Sequence, residues 1–264
     1  MARKLFLAIG IILILSACGL FSKEDDSKPS NGNTTTEWVR ITDGAEYRTF
    51  SITPSDATPF DMHIVRLDPK QVRFRVHYQP AQAYTYNSWQ EQLAPEAIAF
   101  INANFFSEDN VAIGLVIADG TLYGTTLVGY GGMFAINADG SPTLLSLART
   151  SYRGTGYTQA IQSFPMLIEP DGTPSTIGQG FDELARRTAI AQDDKGYIYL
   201  MSTGTLGQIS LRELQNWLLN SELNIKVAFA LDGGRSSLMY VRTEPPIQIP
   251  SLVRVPIILA VYER

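Results

Sequence analysis

The sequence predicts an α+β fold, a single domain around a mixed, strand-rich sheet with a few short helices. Apolar runs of strand character recur along the chain from Trp38 to Arg264. Only two segments carry the Ser-x-x-Glu pattern with which many helices begin. No composition break, repeat or low-complexity tract divides these roughly 225 residues, which fits one large domain. Many strands with few helices favour the α+β class.

The first residues are typical of an export signal. Arg3 and Lys4 form a basic start, and an apolar run from Leu5 to Leu15 follows. Since this run is too short to span a bilayer comfortably, we predict that residues 1–17 are a signal peptide that is removed.

Cys18 follows a sequence that resembles a lipobox, so we predict that it is lipidated and becomes the mature N-terminus. A plain signal peptide with an incidental cysteine is the alternative. Cys18 is the only cysteine of the sequence, which rules out an intramolecular disulfide. We expect the protein in the cell envelope, lipid-anchored and extracytoplasmic, with the inner and the outer membrane both open.

Residues 18–37 are predicted to be a flexible tether to a domain at 38–264. They are rich in Ser, Asn, Thr, Lys and Asp, a composition that cannot bury a core. Loss of the signal peptide would change the formal net charge from -5 to -7, because Arg3 and Lys4 leave with it. A mildly acidic domain lacks the charge pattern of a nucleic-acid-binding protein, so no nucleic acid partner is expected.

The predicted strands follow the apolar runs. In chain order they are Phe60–Leu67, Val72–Tyr78, Ala97–Ile101, Leu115–Ala118, Gly132–Ile136, Thr188–Gln192, Ile198–Ser202, Val227–Leu231, Ser237–Val241 and Ile257–Tyr262.

Two helices are predicted from capping boxes. Ser88 and Glu91 start one that Pro95 ends, and Ser210 and Glu213 start the other. A third, short helix is expected at Phe181–Arg186.

The segment from Phe229 to Tyr240 places a carboxylate at a strand end. Asp232 follows an apolar run and precedes Gly233-Gly234. Glycines permit positive φ or close approach of a ligand, which a strand interior does not need. Asp-Gly is also a strong hairpin pattern, and spacing alone does not separate the two interpretations.

Three other segments combine polar groups with apolar strands, namely Ala99–Phe106, Gln162–Ile168 and Arg186–Asp193. Together with Leu231–Ser237, in order and spacing, they resemble the phosphodiester glycosidase family. Its pattern runs Asn-Gly-Gly-Phe-Phe, Gln-Ser-Gly-Pro-Leu, Arg-Thr-Ala-Ile-Gly and Leu-Asp-Gly-Gly-Gly-Ser-Ser. The resemblance covers Ala97 to Val261 and implies a hydrolase acting on sugar-1-phosphodiesters.

The chain departs from this pattern where the family has glycines. Ala103 and Asn104 replace the first pair, Phe164 the next, Ala191 the next and Arg235 the last. Each substitution adds bulk while the polar residues remain. A changed pocket shape, and so a changed substrate, is therefore expected.

The resemblance implies two catalytic residues and a phosphate ligand. Asp232 would act at the anomeric carbon, its alternative being a turn-capping role. Asn102 would orient sugar hydroxyls or water, its alternative being a turn amide. Arg187 would bind phosphate through its planar fork. A surface salt bridge is the alternative, more plausible for Arg186.

Further substrate-binding residues are expected around Asp232. Gln162 would bind substrate much as Asn102 would. Ser236 and Ser237 would donate to phosphate or sugar oxygens, beside an anion nest formed by the N–H groups of Gly233 and Gly234. Polar hairpin residues are the alternative for both serines.

Several nearby residues are given less weight. Asp193 is predicted to lie in a solvated turn rather than to supply a second carboxylate. Phe105 and Phe106 are expected in the core rather than as a sugar platform. Arg235 would reach the phosphate or point to solvent.

Other chemistries fit the sequence less well. Residues 234–238 lack the closing glycine of a nucleophile elbow, and only His63 and His77 could complete a triad or a histidine-rich metal site. No Walker loop or dinucleotide motif is present. No cofactor is predicted, although a divalent cation held by Asp232 and backbone carbonyls stays an open alternative.

We therefore expect an exported, lipid-anchored glycosidase that hydrolyses sugar-1-phosphodiester linkages in cell-envelope or exopolysaccharide glycans. Its partners would be a glycan or glycosyl-phosphodiester substrate and the membrane that holds Cys18. The alternative is a non-catalytic carbohydrate-binding or envelope-assembly lipoprotein. The complete set of Asn102, Gln162, Arg187, Asp232 and Ser236 favours the enzyme.

Overall fold

The computed structural model describes residues 37–94, 96–152, 156–176, 178 and 181–264. These residues form two α-helices, α1 (Tyr86–Leu93) and α2 (Leu211–Asn220), and seventeen strands. The strands are β1 (Val39–Thr42), β2 (Ala45–Ile52), β3 (Phe60–Leu67), β4 (Val72–Tyr78), β5 (Ala97–Asn102), β6 (Val116–Ala118), β7 (Thr121–Tyr123), β8 (Gly132–Asn137), β9 (Pro142–Ser146), β10 (Tyr157–Ser163), β11 (Met166–Ile168), β12 (Thr188–Asp193), β13 (Ile198–Ser202), β14 (Ile225–Ala230), β15 (Met239–Val241), β16 (Ile247–Ile249) and β17 (Ile257–Glu263).

The strands form three sheets. The first has the order β1-β2-β3-β13-β12-β14-β11, the second β7-β6-β10-β8-β9 and the third β16-β15-β5-β17-β4. Every ladder between these strands is antiparallel. The fold is therefore mostly β and broadly compatible with the α+β class, but the single mixed sheet predicted from the sequence is wrong.

The largest hydrophobic core takes side chains from all three sheets. Its fully buried members include Val65, Leu200, Ile101, Leu259, Phe134 and Ile161. Each helix covers an outer face of a sheet. Leu214 of α2 packs with Ile64 on the first sheet, and Trp89 of α1 packs with Phe100 on the third. Because central strands such as β5, β13 and β17 are buried on both faces, they are apolar almost throughout. The period-2 pattern appears in strands with one exposed face, such as β4.

All ten predicted strands are confirmed, with β3, β4 and β13 matching to the residue. The helix at Ser210 is confirmed, and both bonds of its capping box to Glu213 are present. The first helix is confirmed with a different start, because Thr85 caps it and accepts from the Ser88 amide. Pro95 lies outside the described residues.

The short helix predicted at Phe181–Arg186 is wrong. This segment forms turns and a single β-bridge, Ala185 to Ile209. The predicted signal peptide, the tether up to residue 36 and Cys18 lie outside the described residues. None of the described helices is long and apolar enough to cross a bilayer.

Candidate active site

The four sequence motifs meet where several strands end. The Asp232 amide donates to the Ala103 carbonyl, just beyond β5, at 2.9 Å. The Leu231 amide donates to the backbone carbonyl of Thr188 at the start of β12. The Ala230 amide donates to the carbonyl of Pro165 just before β11, and each distance is 2.9 Å. Backbone bonds thus bring the motifs together around Asp232.

The segment after Asp232 is not a hairpin. β14 belongs to the first sheet and β15 to the third, so Gly233 and Gly234 carry the chain between sheets through a 3-10 turn at Gly234–Ser236. A Cβ on Gly233 would lie 3.0 Å from the Arg186 carbonyl oxygen, and Gly234 has φ +60°. The close approach and the positive φ explain the two glycines.

Asp232 is a buried residue, only 8% exposed. Burial raises its pKa to about 6, although hydrogen bonds from the Ser236 hydroxyl and the Gly233 amide oppose the rise. Burial disfavours the ionised form of a carboxyl group unless hydrogen-bond donors stabilise its negative charge. Asp232 can therefore exchange a proton near neutral pH, which suits acid–base chemistry.

The predicted anion nest is not formed. The Gly233 amide bonds the Asp232 carboxylate, and the Gly234 amide donates to the Arg186 carbonyl at 2.8 Å. Ser236 faces Asp232, whereas Ser237 is fully buried and its hydroxyl has no hydrogen-bond partner among the described residues. That burial gives Ser237 no surface toward a substrate.

Arg187 lies beside the Asp232–Gly233 segment, half-buried. Its Nη1 is 3.7 Å from the position that a Cβ on Gly233 would take. Its Nε donates to the Ile209 carbonyl at 3.1 Å and its Nη2 to the Glu183 carbonyl at 2.6 Å. Among the described residues it forms no salt bridge, and Nη1 has no hydrogen-bond partner. One edge of the fork is thus free to bind an anion.

Arg186 is buried, so its interpretation as a surface salt bridge is wrong. Its Nε donates to the Gly204 carbonyl at 3.0 Å. Its Nη2 donates to the backbone carbonyls of Ser237 at 2.8 Å and Pro250 at 3.0 Å. Burial lowers its pKa. Arg186 therefore ties together the backbone of three loops around Asp232.

Asn102 is fully buried and holds the backbone of the same segment. Its Nδ2 donates to the Asp232 carbonyl, and its Oδ1 accepts from the Leu238 amide at 3.0 Å. The Thr188 hydroxyl, which sequence reasoning missed, donates to the same Asp232 carbonyl at 2.7 Å. Both ends of the Asn102 amide are engaged inside the protein, which gives Asn102 a positioning role.

Gln162 is also fully buried and faces a loop. Its Oε1 accepts from the Leu115 and Leu127 amides, each at 3.0 Å. Its Nε2 donates to the carbonyls of Leu127 at 2.8 Å and Tyr130 at 2.9 Å. All four hydrogen-bonding positions of this amide are used, so the structure leaves Gln162 no group with which to bind a substrate.

A comparison with known protein families matches the part of the chain that contains the four motifs. The family model described as phosphodiester glycosidase matches residues 95–262. The chain belongs to the phosphodiester glycosidase family. No curated protein matches the sequence at a significant level.

Three solved structures share the fold. The catalytic domain of zebrafish N-acetylglucosamine-1-phosphodiester alpha-N-acetylglucosaminidase, auto-inhibited by its pro-peptide, is 19% identical with a TM-score of 0.60, and the match covers 83% of each chain. A hypothetical protein from Synechocystis is 15% identical with a TM-score of 0.64, over 86% of this chain and 64% of that one. A putative exported protein from Burkholderia pseudomallei is 12% identical with a TM-score of 0.54, over 77% and 74%.

The phosphodiester glycosidase pattern has a glycine where this chain has Phe164, and the structure shows what the added ring does. Phe164 stacks on Phe105 with ring centroids 4.4 Å apart, and Tyr130 lies against it at 5.1 Å. Phe105 and Phe106 are half-buried rather than core residues. Tyr130 was missed because nothing in its glycine-rich surroundings links it to the motif residues.

The remaining residues that the sequence suggested lie away from Asp232 and Arg187 or at the edge of the candidate site. Asp193 is at the far end of β12, where it accepts from the Lys195 and Tyr197 amides and the Tyr199 hydroxyl. It is the buried last residue of β12, so the predicted solvated turn is wrong for Asp193, and the turn itself follows at Asp194-Lys195. Arg235 is exposed next to Gly234. In the part of the chain that the structure describes, no three His, Cys, Asp or Glu side chains gather where they could hold a metal.

Proposed function

We propose that the protein hydrolyses sugar-1-phosphodiester linkages in cell-envelope or exopolysaccharide glycans. The observation that carries this proposal is the position of Arg187, whose unpaired Nη1 lies against Gly233, next to a carboxylate with a pKa near neutrality. Such a bond joins an anomeric carbon to a phosphate, so its hydrolysis needs a carboxylate and an anion-binding cation close together.

In the proposed reaction, water attacks the anomeric carbon and the bond from that carbon to the phosphate oxygen breaks. The ionised Asp232 stabilises the positive charge at the anomeric carbon and accepts a proton from the water. The electron pair of the broken bond passes to the phosphate, which Arg187 holds, and the products are a free sugar and a phosphomonoester. Since phosphate is a good leaving group, one carboxylate suffices.

The residues around these two supply the geometry. Asn102 and Thr188 fix the Asp232 carbonyl, and Ser236 orients its carboxylate. The proposal also includes export and a lipid anchor at Cys18, which would hold the enzyme at its envelope substrate.

A second candidate is a non-catalytic carbohydrate-binding or envelope-assembly lipoprotein. It is favoured by one observation, which is that the Asn102 and Gln162 amides bond backbone groups rather than facing outward.

Product analysis separates the two candidates. Wild type should release free sugar and phosphomonoester from a sugar-1-phosphodiester, and Asp232→Asn should reduce turnover by about 10² to 10⁴ because it removes the charge while nearly keeping the shape. Undiminished turnover in Asp232→Asn would remove this carboxylate from the mechanism. Binding without turnover by wild type, across several diesters, would favour the second candidate.

A further inference from the structure

The arginines of this protein differ in whether they form ion pairs. Most of those that the structure describes pair with a carboxylate, namely Arg40, Arg48, Arg66, Arg75, Arg149, Arg212 and Arg242. Two more bond backbone carbonyls of β17 and β4, namely Arg73 and Arg264. The others form no salt bridge with any described residue and lie on segments that hydrogen bonds join around Asp232, namely Arg186, Arg187, Arg235 and Arg254. Positive charge without an ion-pair partner is therefore concentrated at the candidate site.

Hydrogen bonds fix the backbone at Arg235. The Arg235 carbonyl accepts from the Leu252 amide at 2.7 Å, which joins the turn to the loop that also carries Arg254. The hydroxyl of the neighbouring Ser236 donates to the Asp232 carboxylate. The main chain at Arg235 is therefore held one residue away from a direct partner of Asp232.

Arg187 and Arg235 are close to each other along the backbone. Nη1 of Arg187 lies 3.7 Å from the position that a Cβ on Gly233 would take, and Arg235 follows Gly233 by two residues. Since successive Cα atoms are about 3.8 Å apart, the Cα of Arg235 lies within roughly 7.6 Å of the Cα of Gly233. A long side chain on this backbone can hold a second anion next to one held by Arg187.

The backbone does not require glycine at position 235. The phosphodiester glycosidase pattern has a glycine there, but Arg235 does not have positive φ, unlike Gly234 at φ +60°. An arginine is therefore accommodated without backbone strain. Arg235 is exposed, and its side chain makes no hydrogen bond to the described part of the chain, so its guanidinium is available to a ligand.

The nearby acidic groups do not neutralise Arg235. Burial lowers the pKa of Arg187, and the charge of Glu183 opposes this change. Asp182, beside Glu183, pairs with Arg212. No described carboxylate lies within ion-pair distance of Arg235, so an anion bound there would meet a planar cation without a competing partner.

We propose that Arg235 binds a second phosphate of the substrate, one unit away from the phosphate at Arg187, so that the preferred substrate is a glycan with phosphodiesters in successive units. This inference rests on the proposed function. A repeating phosphodiester glycan supplies an anion to each of the two arginines, whereas a single diester in a neutral glycan leaves Arg235 in water. Arg235 is thus a specificity-determining residue, and the chemical step stays with Asp232.

The test varies one charge on the substrate. Diesters of N-acetylglucosamine-1-phosphate with ethylene glycol carry a second phosphate, either on the 6-hydroxyl of the sugar or on the free end of the glycol. Each compound is made as a charged methyl diester and as a neutral dimethyl triester. With the full chain at low salt, kcat/KM should be about threefold or more higher for the charged form on at least one of the two sides. This ratio should approach one in about 1 M salt, where screening acts within about 3 Å.

Arg235→Gln removes the cation and keeps a polar side chain, so it should bring the ratio of charged to neutral substrate close to one. Arg40→Gln is the matched control, because Arg40 is an exposed arginine on β1, which four strands separate from β14 in the first sheet. It should keep the ratio. Equal kcat/KM for charged and neutral forms in wild type, on both sides, would overturn the second phosphate site and leave the proposed function intact. An equal loss of the ratio in both variants would also overturn it, because the effect would then come from net charge.

If wild type hydrolyses none of these compounds, the proposed function fails and calorimetric binding of the same compounds decides the second phosphate site. Tighter binding of a charged form than of its neutral form, weakened by Arg235→Gln, would support the site. Equal binding of charged and neutral forms would overturn it.

Discussion

The burial of Asp232 raises the pKa of its carboxyl group toward neutrality, which suits acid–base chemistry. At neutral pH this burial also destabilises the folded protein, because the carboxylate is then charged. Its pKa of about 6 lies above its ordinary value of 3.8, so the folded state binds this proton more tightly than the unfolded state. The resulting stabilisation is fully present below the ordinary value and is lost as the pH rises through about 6.

Asp232→Asn should therefore raise the free energy of unfolding at neutral pH, by up to roughly 3 kcal/mol, and should change it little in acid below the ordinary pKa of Asp232. Urea denaturation across this pH range measures the difference. Asp194→Asn is the control, because Asp194 is exposed at the far end of β12 and its replacement changes the net charge equally. A less stable Asp232→Asn at neutral pH would contradict this account.

Arg187 should be sensitive to the shape of its head group. Arg187→Lys keeps a positive charge but loses the planar fork, so kcat/KM should fall about tenfold or more. Steady-state kinetics and the melting temperature should be measured together, with Arg212→Lys as the control, since Arg212 pairs with Asp182 on the surface. Unfolding of Arg187→Lys without a kinetic defect would point to a structural role.

The sequence pattern selected Asp232 and Arg187 as candidates, because their glycine, threonine and alanine neighbours are local features, and the structure places the two residues beside each other. It misassigned Arg186, Gln162 and the anion nest for one common reason. The partners of these groups are backbone atoms far away along the chain, such as the Pro250 carbonyl for Arg186 and the Leu115 amide for Gln162. Residue type alone does not reveal which carbonyl a buried donor meets.

At the level of elements, β10 uses two buried glutamines to hold different neighbours. Gln162 binds the loop at Leu127 and Tyr130, whereas Gln159, three residues earlier, binds the Val76 amide of β4 and the Asp119 carboxylate. Each amide satisfies groups that would otherwise be buried without partners, an omission that costs about 1–3 kcal/mol per group.

Gln162→Leu should loosen the loop at residues 124–131, because it removes all four bonds of the amide. Hydrogen exchange of a peptide covering this loop should become faster. Gln159→Leu is the matched control on the same strand, and it should loosen β4 instead. Equal hydrogen-exchange protection of the loop in wild type and Gln162→Leu would contradict the inference that Gln162 holds this loop in place.

Element boundaries were predictable where the pattern is local. The capping box at Ser210 is complete within four residues, so both its bonds could be predicted. Thr85 was missed because Ser88 and Glu91 offered a second pattern one turn later. The helix predicted at Phe181–Arg186 failed because the Ala185 backbone pairs with Ile209, a contact with no trace in the local sequence.

For the whole molecule, the strands were predictable and their assembly was not. Apolar runs predicted β3, β4 and β13, but the division into three antiparallel sheets depends on pairings between distant strands such as β5 and β17. The class was therefore close, while the single mixed sheet was wrong.

The anchor predicted at Cys18 concerns the whole molecule as well. Cys18→Ser should release the protein into the soluble fraction or stall its processing, because no other cysteine can carry the lipid. Cell fractionation and the mass of the mature N-terminus measure this, with Ser22→Ala in the tether as the control. Equal membrane retention of Cys18→Ser would contradict the anchor.

The position of β17 constrains the order in which the domain can fold. β17 lies between β4 and β5 in the third sheet and pairs with both. A growing chain therefore lacks the strand that joins these two until Ile257–Glu263 have been synthesised. Folding that depends on such distant pairings is slow, and the third sheet can close only after these residues have been made, whatever order the other two sheets follow.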